Sequence, residues 1–173
     1  MYQTTAIITI IVVAIAVYTD VRYGKIYNYL TLPAMGLGLV LNTIGGGVHG
    51  LVASLGGVGI ALALFLMSRF LGRILGGGDI KLLGAVGALQ GATFLVWALL
   101  YTALIGGVLA IIVAIGHGIL WQRVKNLVAA CYLRTVAHVP MEIEIQDGKS
   151  PRLPYAIAIG LGSLVALFVL RIQ

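Results

Sequence analysis

A chain of 173 residues is the size of one domain, but 61% of its residues are hydrophobic and only 9% are charged. With a mean hydropathy of +1.09, this composition excludes an ordinary soluble globular protein. The formal net charge of +6 does not indicate nucleic acid binding, because the basic residues lie beside the ends of apolar runs instead of in one cluster. The sequence therefore predicts an all-α membrane protein, a single embedded domain spanning residues 1–173, with the lipid bilayer as its surroundings and no nucleic acid partner.

Apolar runs of roughly 20 residues, the length that crosses hydrocarbon, fill the first part of the chain. The first run extends from about Thr5 to Tyr18, and we expect its helix to end at Asp20. Runs at about 29–44 and 51–70 follow, separated by an uncharged turn at Gly45-Gly46-Gly47. These features predict three spans before the first long polar interruption.

The second part of the chain predicts three further spans and one surface helix. Residues 82–122 carry no formal charge, which suits two spans with a break at Gln90-Gly91. Residues 121–139 place apolar and polar side chains on opposite faces, which is typical of an amphipathic helix at the membrane interface. Met141–Ile145 alternates like a short strand, and the last span occupies about 154–170. The predicted fold is a six-helix transmembrane bundle with an interfacial helix between helices 5 and 6.

The basic residues predict the orientation of this bundle. With six spans, a single basic residue, Arg171, falls on one side, and all the others fall on the opposite side: Arg22, Lys25, Arg69, Arg73, Lys81, Arg123, Lys125, Arg134, Lys149 and Arg152. The positive-inside rule makes that opposite side the cytoplasm. Both termini then lie on the non-cytoplasmic side, the loop of about 122–152 is cytoplasmic, and Asp20 and Asp79 both lie at the cytoplasmic edge.

Acidic residues are rare, and two of them are candidates for chemistry. The chain has five acids, of which three lie in one polar segment near its end: Glu142, Glu144 and Asp147. Asp20 and Asp79 are the acids beside apolar spans. Gly76-Gly77-Gly78 directly precedes Asp79, and we expect these glycines to form a flexible turn that lets a substrate strand approach the backbone.

Two neighbouring carboxylates can hydrolyse an amide by activating water. Repulsion between them keeps one protonated and the other ionised, so that the pair supplies both an acid and a base. The sequence therefore predicts a two-aspartate protease built on Asp20 and Asp79, with no cofactor. It predicts no metal site, because neither aspartate has a histidine within one turn. Two alternatives remain: helix-end acids paired with Arg22 and Lys81, and a small proton- or ion-coupled transporter.

Three segments, in this order, carry a resemblance to a known family. They are Asp20–Asn28, Gly76–Leu82 with its Gly-Gly-Gly-Asp-Ile-Lys-Leu motif, and Arg152–Ala156 with its Pro-Tyr pair. At these residues the sequence resembles the type IV prepilin peptidases, membrane aspartate proteases that include the archaeal preflagellin peptidases. Tyr27 departs from the proline often found there, which we expect to alter only local turn geometry.

The resemblance implies that Asp20 and Asp79 are the catalytic residues. It also implies that further motif residues bind substrate or shape the site: Arg22, Asn28, Gly76, Gly77, Gly78, Lys81, Pro154 and Tyr155. The implied activity is removal of a short basic leader from a prepilin-like or preflagellin-like membrane protein, at the cytoplasmic face of a prokaryotic inner membrane. We expect the short, peptidase-only type, without a methyltransferase region.

Two acids outside these motifs are candidates on charge alone. Glu142 and Glu144 lie in the predicted cytoplasmic loop, where they would attract a basic leader. A solvated loop explains them equally well.

Overall fold

A computed structural model describes residues 2–70, 76–116 and 155–172, all of the regular structure in these ranges being α-helical. The helices are α1 (Tyr2–Tyr23), α2 (Asn28–Phe70), α3 (Gly77–Gln90), α4 (Ala92–Gly116) and α5 (Tyr155–Ile172). Three of them, α1, α2 and α4, are long and apolar enough to cross a membrane. The predicted all-α class is confirmed, whereas the count of six spans and the sides of the termini stay predictions.

The chain divides into two compact units. The first comprises Met1–Gly106 and Pro154–Gln173, and the second comprises Gly107–Leu153. In the second unit the described residues are 107–116, and they are helical. The predicted interfacial helix at 121–139 and the predicted strand at Met141–Ile145 lie outside the described residues.

The long helix α2 is a hairpin of two helical halves. Gly47 has φ 57° and ψ −137°, a conformation that breaks the helix and favours glycine. Asn42 Nδ2 donates a 2.7 Å hydrogen bond to Ser54 Oγ, although 12 residues of straight helix would separate them by about 18 Å. The halves, 28–46 and 48–70, match the two spans predicted here, and the predicted turn at Gly45-Gly46-Gly47 is confirmed.

The end of α1 lies later than predicted. Asp20 is in its last turn, and the helix continues to Tyr23 because a single polar side chain does not stop a helix. Gly24 does stop it: its φ is +63°, and its N–H donates to the Asp20 carbonyl at 2.8 Å, as in a left-handed C-cap. The connection between α1 and α2 is therefore only residues 24–27.

Helix α3 is the buried element of the first unit. Residues 82–89 are all buried, and α2 makes the most extensive contacts with α3. Its 14 residues are fewer than the roughly 20 that cross hydrocarbon. It ends where the sequence predicts, at Gln90, because Gly91 adopts φ +87° before α4 begins.

The hairpin α2 fixes the far end of α3. Asn42 Nδ2 donates to the carbonyls of Ala88 and Leu89 at 3.0 and 3.1 Å, and Ser54 Oγ donates to Ala88 at 2.7 Å. These carbonyls belong to the last turn, which has no partners within its own helix. The side chains of α2 therefore hold α3 in place along its axis.

Glycines let these helices approach closely. A Cβ added at Gly38 or Gly57 would meet the α3 backbone, and one added at Gly162 would meet Thr102. Gly36, in contrast, has nothing within 4 Å of an added Cβ. Close packing, the usual role of glycine in membrane helices, holds for Gly38, Gly57 and Gly162 and not for Gly36.

Candidate active site

Asp20 and Asp79 line one cavity of about 430 Å³. Its other walls are the connection after α1 and the start of α3, comprising Gly24, Lys25, Ile26, Tyr27, Asn28, Gly76, Gly77 and Gly78. Asp20 comes from the last turn of α1, and Asp79 from the first turn of α3. The fold therefore brings together two carboxylates that are far apart in sequence.

Asp79 is the more enclosed member of the pair. Burial raises the pKa of its carboxyl to about 6, and the neighbouring Asp20 carboxylate adds to the rise. A hydrogen bond from the Gly76 backbone acts in the opposite direction. Since α3 starts at Gly77 with Gly76 as its N-cap, this bond resembles the backward reach of a capping box. Asp79 therefore keeps its proton to a higher pH than an exposed aspartate does.

The glycines before Asp79 provide space and not a flexible turn. Gly77 and Gly78 are helical, and the glycines with positive φ among the described residues are at other positions. A Cβ on Gly76 would lie 2.7 Å from Asp79 Oδ2, and one on Gly78 would lie 3.1 Å from Ile26 Cβ. The expected flexible turn is wrong for Gly77 and Gly78, because a helix begins directly there.

Asp20 receives a backbone donor from another helix. The Ala156 N–H, in the first turn of α5, donates to Asp20 Oδ2 at 3.4 Å. A backbone donor at a helix N-terminus stabilises a negative charge. Tyr155, a predicted site residue, is the first residue of α5 and is 41% exposed.

The nearby cations do not pair with the carboxylates. Arg22 Nη1 donates to Tyr18 Oη at 3.0 Å, and its guanidinium lies 5.8 Å from the centre of the Tyr23 ring. Lys81 Nζ donates to Asn28 Oδ1 at 2.8 Å. Arg22 does not line the cavity. Within the described residues, the ion pairs proposed in the helix-end alternative are therefore not formed.

A sequence model of the type IV leader peptidase family matches residues 7–111. The chain belongs to this family. The match covers more than half of the chain and includes both aspartates. Searches among curated proteins and among solved structures give no match. Family membership implies a peptidase with a membrane-protein substrate, and the apolar helices agree with a membrane protein.

Part of the wall of the cavity is not predicted by the sequence. Four of its wall residues are Gly24, Lys25, Ile26 and Tyr27, whereas the sequence predicts Asp20, Arg22 and Asn28 from this segment. Position in the Asp20–Asn28 motif was the available signal for them. No sequence pattern marks the Ala156 N–H as a donor, because a backbone N–H does not depend on the type of side chain.

Three predicted site residues lie outside the described residues: Glu142, Glu144 and Pro154. Among the residues that are described, no group of three or more His, Cys, Asp or Glu side chains is placed to hold a metal ion. The ionisable side chains that line the cavity, among the described residues, are Asp20, Lys25, Tyr27 and Asp79.

Proposed function

We propose that this protein is an aspartic endopeptidase that cleaves the short basic leader from a prepilin-like or preflagellin-like membrane protein. The observation that carries the proposal is that Asp20 and Asp79 line one cavity while Arg22 and Lys81 bind other partners. Two neighbouring acids that form no ion pair with Arg22 or Lys81 fit catalysis better than helix-end charge compensation.

The different surroundings of the two acids support different roles. Asp20, which accepts a backbone N–H, acts as the base and removes a proton from the attacking water. Asp79, whose pKa is raised, donates its proton to the carbonyl oxygen of the scissile amide. The tetrahedral intermediate then collapses, the leaving nitrogen takes the proton held by Asp20, and the hydroxyl proton returns to Asp79. The pair ends in its starting protonation state.

The membrane face is part of the proposal. The predicted orientation puts both aspartates at the cytoplasmic edge, where water reaches the cavity and a short leader is accessible. Lys25 and Asn28 line the same cavity, which agrees with a polar entrance. Binding of the basic leader by Glu142 and Glu144 stays a prediction.

Cleavage by aspartate variants tests this function. The purified chain, in detergent or lipid, is incubated with a prepilin-like protein whose basic leader ends in glycine before a hydrophobic helix. Wild type should cleave it, whereas Asp20→Asn and Asp79→Asn should each lose activity by about 1,000-fold or more, because removing a member of such a unit disables it. Asp147→Asn, the same change at the third aspartate, is the matched control and should retain activity. Robust cleavage by either of the first two variants would remove that aspartate from the mechanism.

A further inference from the structure

One side-chain hydrogen bond joins the start of α2 to the start of α3. Lys81 Nζ donates to Asn28 Oδ1 at 2.8 Å across 53 residues of sequence. Asn28 is the first residue of α2, and Lys81 lies two residues after Asp79. The bond therefore fixes the position of the connection after α1 relative to the helix that carries Asp79.

The bond lies between two cavities. Asn28 lines the cavity that contains the carboxylates, whereas Lys81 lines a neighbouring apolar cavity of about 240 Å³. Gly77 lines both of them. Lys81 is exposed, in contrast to residues 82–89 of the same helix. Its amine therefore reaches α2, where it binds Asn28.

The connection between α1 and α2 has a second contact with α3. Ile26 lies against Gly78, where an added Cβ would be 3.1 Å from Ile26 Cβ. At its other end, the Gly24 N–H binds the Asp20 carbonyl at 2.8 Å. A displacement of residues 24–28 relative to α3 would therefore change the separation of the two carboxylates.

We infer that the Lys81–Asn28 pair positions the two carboxylates relative to each other. Lys81 and Asn28 act as positioning residues, not as groups that touch the scissile bond. This inference rests on the proposed function. In this role Lys81 neither neutralises a carboxylate nor anchors the helix at the lipid interface.

Loss of a positioning contact lowers the rate of cleavage, whereas loss of a stabilising contact lowers the free energy of unfolding. Exposed hydrogen bonds and charge contacts contribute little to stability, whereas misplacing a reacting group by about 1 Å costs ~100-fold in rate. Loss of this bond should therefore lower kcat strongly while leaving the melting temperature nearly unchanged. A contact with substrate would instead raise KM.

A double-mutant cycle in the full chain tests the inference. Lys81→Met keeps the length of the side chain without its donor, and Asn28→Ala removes the acceptor. Each should lower kcat by about 10- to 100-fold with KM within about twofold of wild type, and the double variant should be no worse than the poorer single variant. Arg69→Met removes an exposed basic residue outside both cavities and should keep wild-type kinetics.

Lys81→Arg is the conservative variant. It keeps the positive charge and a donor for Asn28 Oδ1, so positioning predicts a kcat well above that of Lys81→Met. The pH profile of Asn28→Ala is a further readout, because this change alters no charge and a moved limb would report a changed carboxylate separation. If Lys81→Met does not fold, the comparison of Lys81→Arg with Asn28→Ala decides the question.

Three results would overturn the inference: multiplicative losses in the double variant, an effect on KM alone, or full activity of both single variants. In each case Asp79→Asn separates the two proposals. An inactive Asp79→Asn beside fully active Lys81→Met and Asn28→Ala leaves the proposed function intact and removes the positioning role. An active Asp79→Asn removes the proposed function itself.

Discussion

Replacing Gly76 with alanine displaces the Asp79 carboxylate without disturbing the backbone. Gly76 has φ −65° and ψ 141°, which alanine adopts easily. The added Cβ would lie 2.7 Å from Asp79 Oδ2, whereas ordinary contacts begin at 3.4 Å. Because the oxygen is the end of a side chain, it can rotate away. The fold should therefore tolerate this substitution, and the site should not.

The expected loss follows from the distance that the oxygen must move. Restoring ordinary contact requires a shift of about 0.7 Å, and a misplacement of about 1 Å in a reacting group costs ~100-fold in rate. We therefore expect Gly76→Ala to lower kcat by about 10- to 100-fold, equivalent to ~1.4 to 2.7 kcal/mol of transition-state stabilisation. Because alanine is a poorer N-cap residue than glycine, the melting temperature should fall slightly.

Steady-state cleavage of the prepilin-like substrate measures this effect, with Gly59→Ala as the matched control. Gly59 lies inside α2 and lines neither cavity, and an added Cβ there has nothing within 4 Å. Alanine in a helix interior is favoured by about 1 kcal/mol over glycine, so this variant should cleave normally and melt slightly higher. Wild-type cleavage by Gly76→Ala, or an equal loss in Gly59→Ala, would refute the reasoning.

Two further predictions concern pH and helix packing. The proposed mechanism needs a proton on Asp79, and its pKa is raised to about 6, so kcat/KM should fall as the pH rises through that value and the proton is lost. A flat profile between about pH 5 and 8 would contradict this assignment. Gly57→Ala would place its Cβ against the Gly87 backbone and should destabilise the fold by about 1–3 kcal/mol, measured by thermal unfolding in detergent. At Gly36, inside α2, an added Cβ has nothing within 4 Å, so Gly36→Ala should melt at or slightly above wild type, and equal melting of the two variants would contradict the packing argument.

Sequence patterns were sufficient to predict most helix positions and the proximity of Asp20 and Asp79. Three glycines among the described residues have a positive φ, and the sequence predicts the breaks at two of them, Gly47 and Gly91. The distribution of basic residues placed both aspartates at the same edge, and both line one cavity. Long apolar runs and the charges at their ends carry these predictions, because they determine which segments enter the bilayer and where each helix leaves it.

The details of the site depend on contacts that have no sequence pattern. The sequence predicts a flexible turn at Gly77 and Gly78, but both lie in the first turn of α3. Glycine can be needed for an unusual backbone conformation or for a close neighbour, and the residue type alone does not show which. The guanidinium of Arg22 lies over tyrosine rings, although its place in the motif suggested the cavity. The donor to Asp20 comes from the Ala156 backbone, 136 residues away in sequence.

The two aspartates differ in how firmly the fold holds them. Asp79 belongs to α3, whose buried residues and fixed C-terminal carbonyls leave little freedom of movement. Asp20 belongs to the last turn of α1, which ends at Gly24 and connects to α2 through a short segment. The separation of the carboxylates therefore depends mainly on the position of Asp20. That position is set by the contacts of residues 24–28 with α3 and by the N-terminus of α5, so substitutions at these contacts should affect catalysis more than stability.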